Sequence, residues 1–246
     1  MPRQSIQLAN NEIYHICLRA VGDDVIFKDD NDYFRGIFSI YELNNSKLVK
    51  IWRRRRDRIQ EKKNAKLYPL GEGTIGDGMI DGKRDCLVEV LDFCFMPNHI
   101  HLLVRQLKDG GISLFMQKVG GGYAQYFNNK YKRKGHLFNQ FKAIHVGSNK
   151  QLKNVVTYIH CNPISLINPN WKNNGVKSPG KVTKFLEEKY RWSSLFDYLG
   201  KKNFPSITSR DFVLKLMDGS DGIKQDLESW VQYNRIEKFD YSKLEE

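Results

Sequence analysis

The stretch FMPNHIHLLV, residues 95–104, places His99 and His101 on either side of one isoleucine, directly after a Pro-Asn pair. Upstream, CLVEVLDFCFM (86–96) is dense in apolar and β-favouring residues, and a buried strand is expected there. Pro97 and Asn98 are turn residues, so HIHLLVRQ (99–106) reads as the antiparallel return strand of a hairpin. Strand side chains alternate, and residues two apart share a face. His99 and His101 therefore point one way, and Ile100, Leu102 and Val104 the other, toward a core. Two imidazoles on one face can both reach one divalent ion, but their spacing neither chooses the metal nor supplies a third ligand.

Outward from the hairpin, the elements alternate in type. EIYHICLRA (12–20) reads as a strand with Ile13, His15 and Cys17 on one side and Tyr14, Ile16 and Leu18 on the other. DDNDYFRGIFSIYEL (29–43) opens with Asp residues suited to a helix N-terminus and carries Phe34, Ile37, Phe38 and Tyr41 at helical spacing. After the hairpin, GISLFMQKVGGGYAQYFNNKYKRKG (111–135) has helical spacing with the triplet Gly120, Gly121, Gly122 as a weak point. QFKAIHV (140–146) is a short strand. NKQLKNVVTYIHCNP (149–163) is a helix with Leu152, Val155, Val156 and Ile159 as its apolar face, ended by Pro163. This order predicts an α+β fold, one antiparallel sheet with helices on one face and the other face free for nucleic acid.

Two segments stand apart. From about residue 50 to 85, KIWRRRRDRIQEKKNAK, with Arg53, Arg54, Arg55 and Arg56, and then a glycine-rich stretch, read as an insertion between regular elements. The tail is helical by pattern. The expected division is a domain over 1–170 and a helical extension over 171–246.

Formal net charge is +12, from 40 Lys and Arg against 28 Asp and Glu. Such an excess favours a polyanionic partner, because each neutralised phosphate releases a condensed counterion. Lys130, Lys132, Arg133, Lys134 and His136, interleaved with Tyr126 and Tyr131, mix cations and rings as single-strand binders do. The four cysteines, Cys17, Cys86, Cys94 and Cys161, form no C-x-x-C pair, which excludes a zinc ribbon or thioredoxin-type site. No apolar run approaches a membrane span, and a cytoplasmic protein without membrane attachment is expected.

A metal over a phosphodiester needs a nucleophile, either water or a side chain. A helix-borne tyrosine with a ligating oxygen four residues on would present both groups on one face. Tyr158 with Asn162 passes that filter, its ring at the margin of the buried helix face. Tyr41 with Asn45, Tyr233 with Glu237 and Tyr241 with Glu245 pass as well. His145 and His160 are further candidates for a third ligand. His160 is two residues from Tyr158 and is expected to point elsewhere, to the surface or a partner.

LVEVLDFCFMPNHIHLLV resembles the signature of the single-tyrosine HUH transposases, in which a hydrophobic residue separates two histidines. The branch it looks like is the REP-associated tyrosine transposase type. YHICLRA with IFKDDNDYFRGIF, the 111–138 helix and turn, YIHCNP and YRWSSLFDYLG resemble further elements in the same order. The resemblance implies a ferredoxin-like, RRM-like sheet, the HUH endonuclease fold, with 1–170 as its catalytic domain. It implies His99 and His101 as metal ligands, Asn162 completing the site, Tyr158 as nucleophile, and Mg²⁺ or Mn²⁺ as the ion. The implied reaction is nicking and rejoining of single-stranded or hairpin DNA through a 5′-phosphotyrosine, at the nucleoid, by a monomer or a homodimer. Two rivals are a non-catalytic single-strand nucleic-acid binder and a hydrolytic nuclease in which water attacks. HLFNQFKAI departs from the family, lacking the arginine of its usual Leu-Phe-Gln-Gly-Arg-Phe-Lys stretch.

Overall fold

The computed structural model describes residues 7–50, 53, 56, 60 and 84–233. The first six regular elements are β1 (Ile13–Arg19), α1 (Asp30–Glu42), β2 (Val88–Met96), β3 (His99–Gln106), α2 (Gly111–Tyr131) and β4 (Lys142–His145). The strands form one antiparallel sheet in the order β2-β3-β1-β4. This βαββαβ order is the ferredoxin-like arrangement. The expected hairpin forms about Pro97 and Asn98, with Met96 opposite His99 and Cys94 opposite His101. The side chain of Asp29 caps α1 by accepting from the Asp32 amide.

One face of the sheet carries Tyr14, Ile16, Leu18, Ile100, Leu102 and Val104, all buried under α1 and α2. Helix α2 runs unbroken through its glycine triplet. A Cβ at Gly122 would meet Leu43 Cδ1 at 3.0 Å, so glycine there lets the end of α1 close on α2. Tertiary packing outweighs the weak helix propensity of the three residues.

The opposite face is not open, contrary to the sequence expectation. Helix α3 (Asn149–Cys161) lies across β2 and β3, and α8 (Gly219–Tyr233) packs on α3. An apolar stripe on one helix reveals one partner, whereas α3 has two, so Thr157, Tyr158 and His160 are buried along with the stripe. Between α3 and α8 run α4 (Trp171–Asn174), α5 (Pro179–Glu188), α6 (Leu195–Tyr198) and α7 (Arg210–Leu216).

The segment between α5 and α7 covers the free edge of β2. Phe95 N donates to Trp192 O at 2.9 Å, Ser194 N to Phe93 O at 3.1 Å and Ser209 N to Val90 O at 2.9 Å. The Tyr190 and Tyr198 hydroxyls donate to the carbonyls of Phe95 and Leu91. Trp192 stacks on Tyr33 with ring centroids 4.5 Å apart, the core role its sequence context gives it.

Asp92 lies on the histidine face with Cys94 and Met96, and a bulge between Val90 and Asp92 shifts the β2 register and sends Val90 to the other face. The Asp92 carboxyl takes the Ser194 hydroxyl as donor and lies 3.4 Å from His160 Nε2. His160 is therefore a core residue rather than a surface one. Burial raises the Asp92 carboxyl well above the carboxylate range and pushes the His160 imidazole down to about 3. His160 is thus neutral at pH 7, and the two groups face each other across the β2–α3 contact. Asp92→Ala removes the acceptor of the Ser194 hydroxyl and leaves a cavity against His160, and is expected to cost about 3 kcal/mol, read from the urea midpoint. All four cysteines are free. Among the described residues, no helix is long and apolar enough to cross a membrane.

Candidate active site

The site lies between the histidine face of the sheet and α3. His99 Nδ1 lies 2.6 Å from Asn98 Oδ1, an acceptor, so that nitrogen carries the proton and Nε2 is left as a lone pair. His99 Nε2 faces His101 Nε2 at 3.0 Å. His101 Nδ1 in turn lies 3.0 Å from Nε2 of His15, which reaches it from β1. Asn98, His99, His101 and His15 thus form a continuous polar file through the core.

Burial holds His15 and His99 down at about 3 and His101 well below the usual imidazole value. All three are neutral at pH 7, the form in which imidazole binds a metal. The unfolded chain takes up these protons near pH 6.5, and the folded chain only near 3 at His15 and His99 and well below 6.5 at His101, so stability is complete above about 6.5 and is lost as pH falls. At pH 5 each of His15, His99 and His160 costs about 2 kcal/mol, His101 adds in the same sense and Asp92 works in the opposite one. The urea midpoint is therefore expected to drop by the equivalent of several kcal/mol between pH 7 and pH 5.

Tyr158 stands over this file. Its ring centroid is 5.8 Å from that of His15 and 5.7 Å from that of His101, both edge-on. It is 0% exposed, at the centre of the buried face rather than at its margin. Lys172 Nζ, from α4, is 3.5 Å from the Tyr158 hydroxyl and 5.0 Å from the ring centroid. Asn162, one turn on, is 4% exposed and donates from Nδ2 to the Tyr158 carbonyl at 2.9 Å.

The other tyrosines that passed the spacing filter lie elsewhere. Tyr41 belongs to α1 on the far face, under the Arg84 guanidinium at 3.9 Å. Tyr233 ends α8, and Tyr241 lies outside the described residues. His145 pairs at the surface with Glu12 at 2.6 Å, apart from the file.

The cationic candidates do not converge on the tyrosine. Arg53 and Arg56 are exposed, and Arg54 and Arg55 lie outside the described residues with most of the 50–85 insertion. Lys130 is held by Asp29 and Asp32 at 2.8 and 2.7 Å. Arg133 donates to the His136 carbonyl at 2.8 Å and fixes the turn after α2, where Lys132, Lys134 and His136 are exposed.

The pair His99 and His101 fits a small divalent ion. Two nitrogens bound at about 2.1 Å and at right angles lie about 3.0 Å apart, and their Nε2 atoms are 3.0 Å apart. Among the described residues, no group of three or more His, Cys, Asp or Glu side chains is placed to hold an ion. A third protein donor would therefore be a neutral oxygen such as the Asn162 amide. Two members of the site escaped the sequence reading. His15 left a trace, its alternation with Cys17 on one strand face, whereas Lys172 sits in the irregular NPNWKNN stretch with no pattern around it.

Fold and site together define an α+β protein in which imidazoles on a ferredoxin-like sheet face a helix-borne phenol. Residues 42–162, just under half of the chain, match the family described as "Transposase IS200 like", and over that segment the chain is similar to the IS200-like transposases. The activity that this description names is transposition. Among solved structures it is similar to "Structure of the REP associates tyrosine transposase bound to a REP hairpin", with 13% identity and a TM-score of 0.45 over 85% of this chain and 92% of that one. No curated protein matches.

Proposed function

We propose that the protein nicks and rejoins single-stranded or hairpin DNA through a 5′-phosphotyrosine on Tyr158. The observation that carries this reading is the Tyr158 ring set 5.7 Å from the ring of His101, the inner member of the histidine pair. His99 and His101, with Asn162 as oxygen donor, are the residues that would hold Mg²⁺, or Mn²⁺ in its place; when bound, the ion polarises the scissile phosphate. Asn98 holds the proton of His99 on Nδ1 and keeps Nε2 free as a ligand. His15 does the same for His101, accepting its Nδ1 proton when Nε2 is a ligand. Tyr158 attacks phosphorus, and the DNA 3′ oxygen leaves as a hydroxyl that later reverses the step. The +12 charge supplies the general attraction for phosphates.

The test mixes the protein with labelled single-stranded oligonucleotides that include hairpins, in Mg²⁺ and in EDTA, and looks for a covalent adduct on a denaturing gel. A metal-dependent adduct is expected. The full burial of Tyr158 favours a second reading, a hydrolytic nuclease in which the tyrosine only packs. It predicts metal-dependent cleavage with no adduct.

A further inference from the structure

We propose that Lys172 is the base that takes the proton of Tyr158 in strand cleavage and returns it in strand joining, a reading that rests on Tyr158 being the nucleophile. A phenol is protonated at neutral pH and is a poor nucleophile until a base relieves it of that proton. On the sheet, the ring nitrogens of His99 and His101 are committed to Asn98, His15 and each other, and burial holds His15, the remaining imidazole beside Tyr158, down at about 3, which makes it a weak base. Lys172 approaches from the opposite side, its Nζ 3.5 Å from the phenol oxygen. That distance is at the outer limit of a hydrogen bond, as apo catalytic contacts often are before substrate tightens them.

The lysine is held there. Trp171, 1% exposed, anchors the short helix α4 in the core and leaves the next residue directed over α3. The charged and titratable groups facing Lys172 are Arg19 and Cys17 from β1, Cys161 and Tyr158 from α3, and His99 and His101 from β3. Burial is the main cause that brings the ammonium down to about 8, with Arg19 adding to it. A fraction of the lysine is thus the free amine near neutral pH.

The step balances. The Nζ lone pair takes the hydroxyl proton, the phenol oxygen bonds to phosphorus, the P–O3′ bond breaks, and the 3′ oxygen takes a proton from solvent. In joining, the 3′ hydroxyl gives its proton to solvent and attacks phosphorus. The P–O bond to Tyr158 breaks, and the Lys172 ammonium returns its proton to the phenol.

The experiment measures the rate of adduct formation against pH for the wild type, Lys172→Met and Lys172→Arg, with hairpin binding by fluorescence anisotropy as the control for folding. The wild-type rate should rise with pH and level off near 8. Lys172→Met should bind DNA normally, react about 10²–10⁴-fold more slowly and show no plateau near 8. Lys172→Arg should be as slow, because guanidinium does not deprotonate. Rescue by arginine, or an unchanged profile in Lys172→Met, overturns the base role while leaving Tyr158 as nucleophile. Metal-dependent cleavage without any adduct in the wild type overturns both readings together. As a readout independent of activity, Lys172 followed by NMR should titrate near 8, and titration at the ordinary lysine value also overturns the proposal.

Discussion

Tyr158→Phe is expected to bind hairpin DNA as the wild type does while forming no covalent adduct, its nicking rate falling by about 10⁴-fold or more. The substitution removes one oxygen and keeps the ring. The edge-on contacts with His15 and His101 survive, and stability should change by no more than about 1 kcal/mol. The nucleophile and its contact with Lys172 are lost. Denaturing gels and a thermal melt on the same preparation separate chemistry from folding. Wild-type nicking rates in the phenylalanine variant would falsify the covalent mechanism and favour water as the attacking group.

The second large effect is expected at the histidine pair. His99→Ala and His101→Ala each remove one of two nitrogen donors, and Mn²⁺ affinity should fall by about 10²-fold or more, measured by calorimetric titration. The two variants should differ in stability, because His99 is 9% exposed and His101 is fully enclosed between His15, His99 and Tyr158. His15→Ala leaves both donors but frees the His101 ring to turn and to hold its proton on either nitrogen. A loss of about 10–100-fold in affinity is expected, the size usual when a hydrogen-bonded support behind a ligand is removed. Equal Mn²⁺ affinity in all four proteins would mean that the ion binds elsewhere.

Alternation and helical spacing carried much of the fold. The hairpin 86–106 is visible because its apolar runs are separated by Pro97 and Asn98, and the tyrosine helix because Leu152, Val155, Val156 and Ile159 repeat at its period. The same logic failed at Tyr158 and His160. A period describes one helix against one surface, and the second cover over α3 comes from residues more than fifty positions away. Alternation back from Met96 and Cys94 puts Asp92 on the histidine face, whereas the bulge that sends Val90 to the other face is announced by no pattern in VEVLDFCF. Lys172 was illegible for a further reason: its position is set by the burial of Trp171 in an irregular segment, where neither alternation nor helical period applies.

The capped edge of β2 bears on how the chain can be shortened. An unpaired sheet edge is a template for other chains, and here that edge is closed by Trp192, Ser194 and Ser209 together with the Tyr190 and Tyr198 hydroxyls. All five lie beyond residue 170. A chain that stopped there would keep both histidines and the tyrosine yet present VEVLDFCFM as a naked, β-rich border. Frameshifts and stop codons in the last third of the gene should therefore leave insoluble protein rather than a smaller working enzyme.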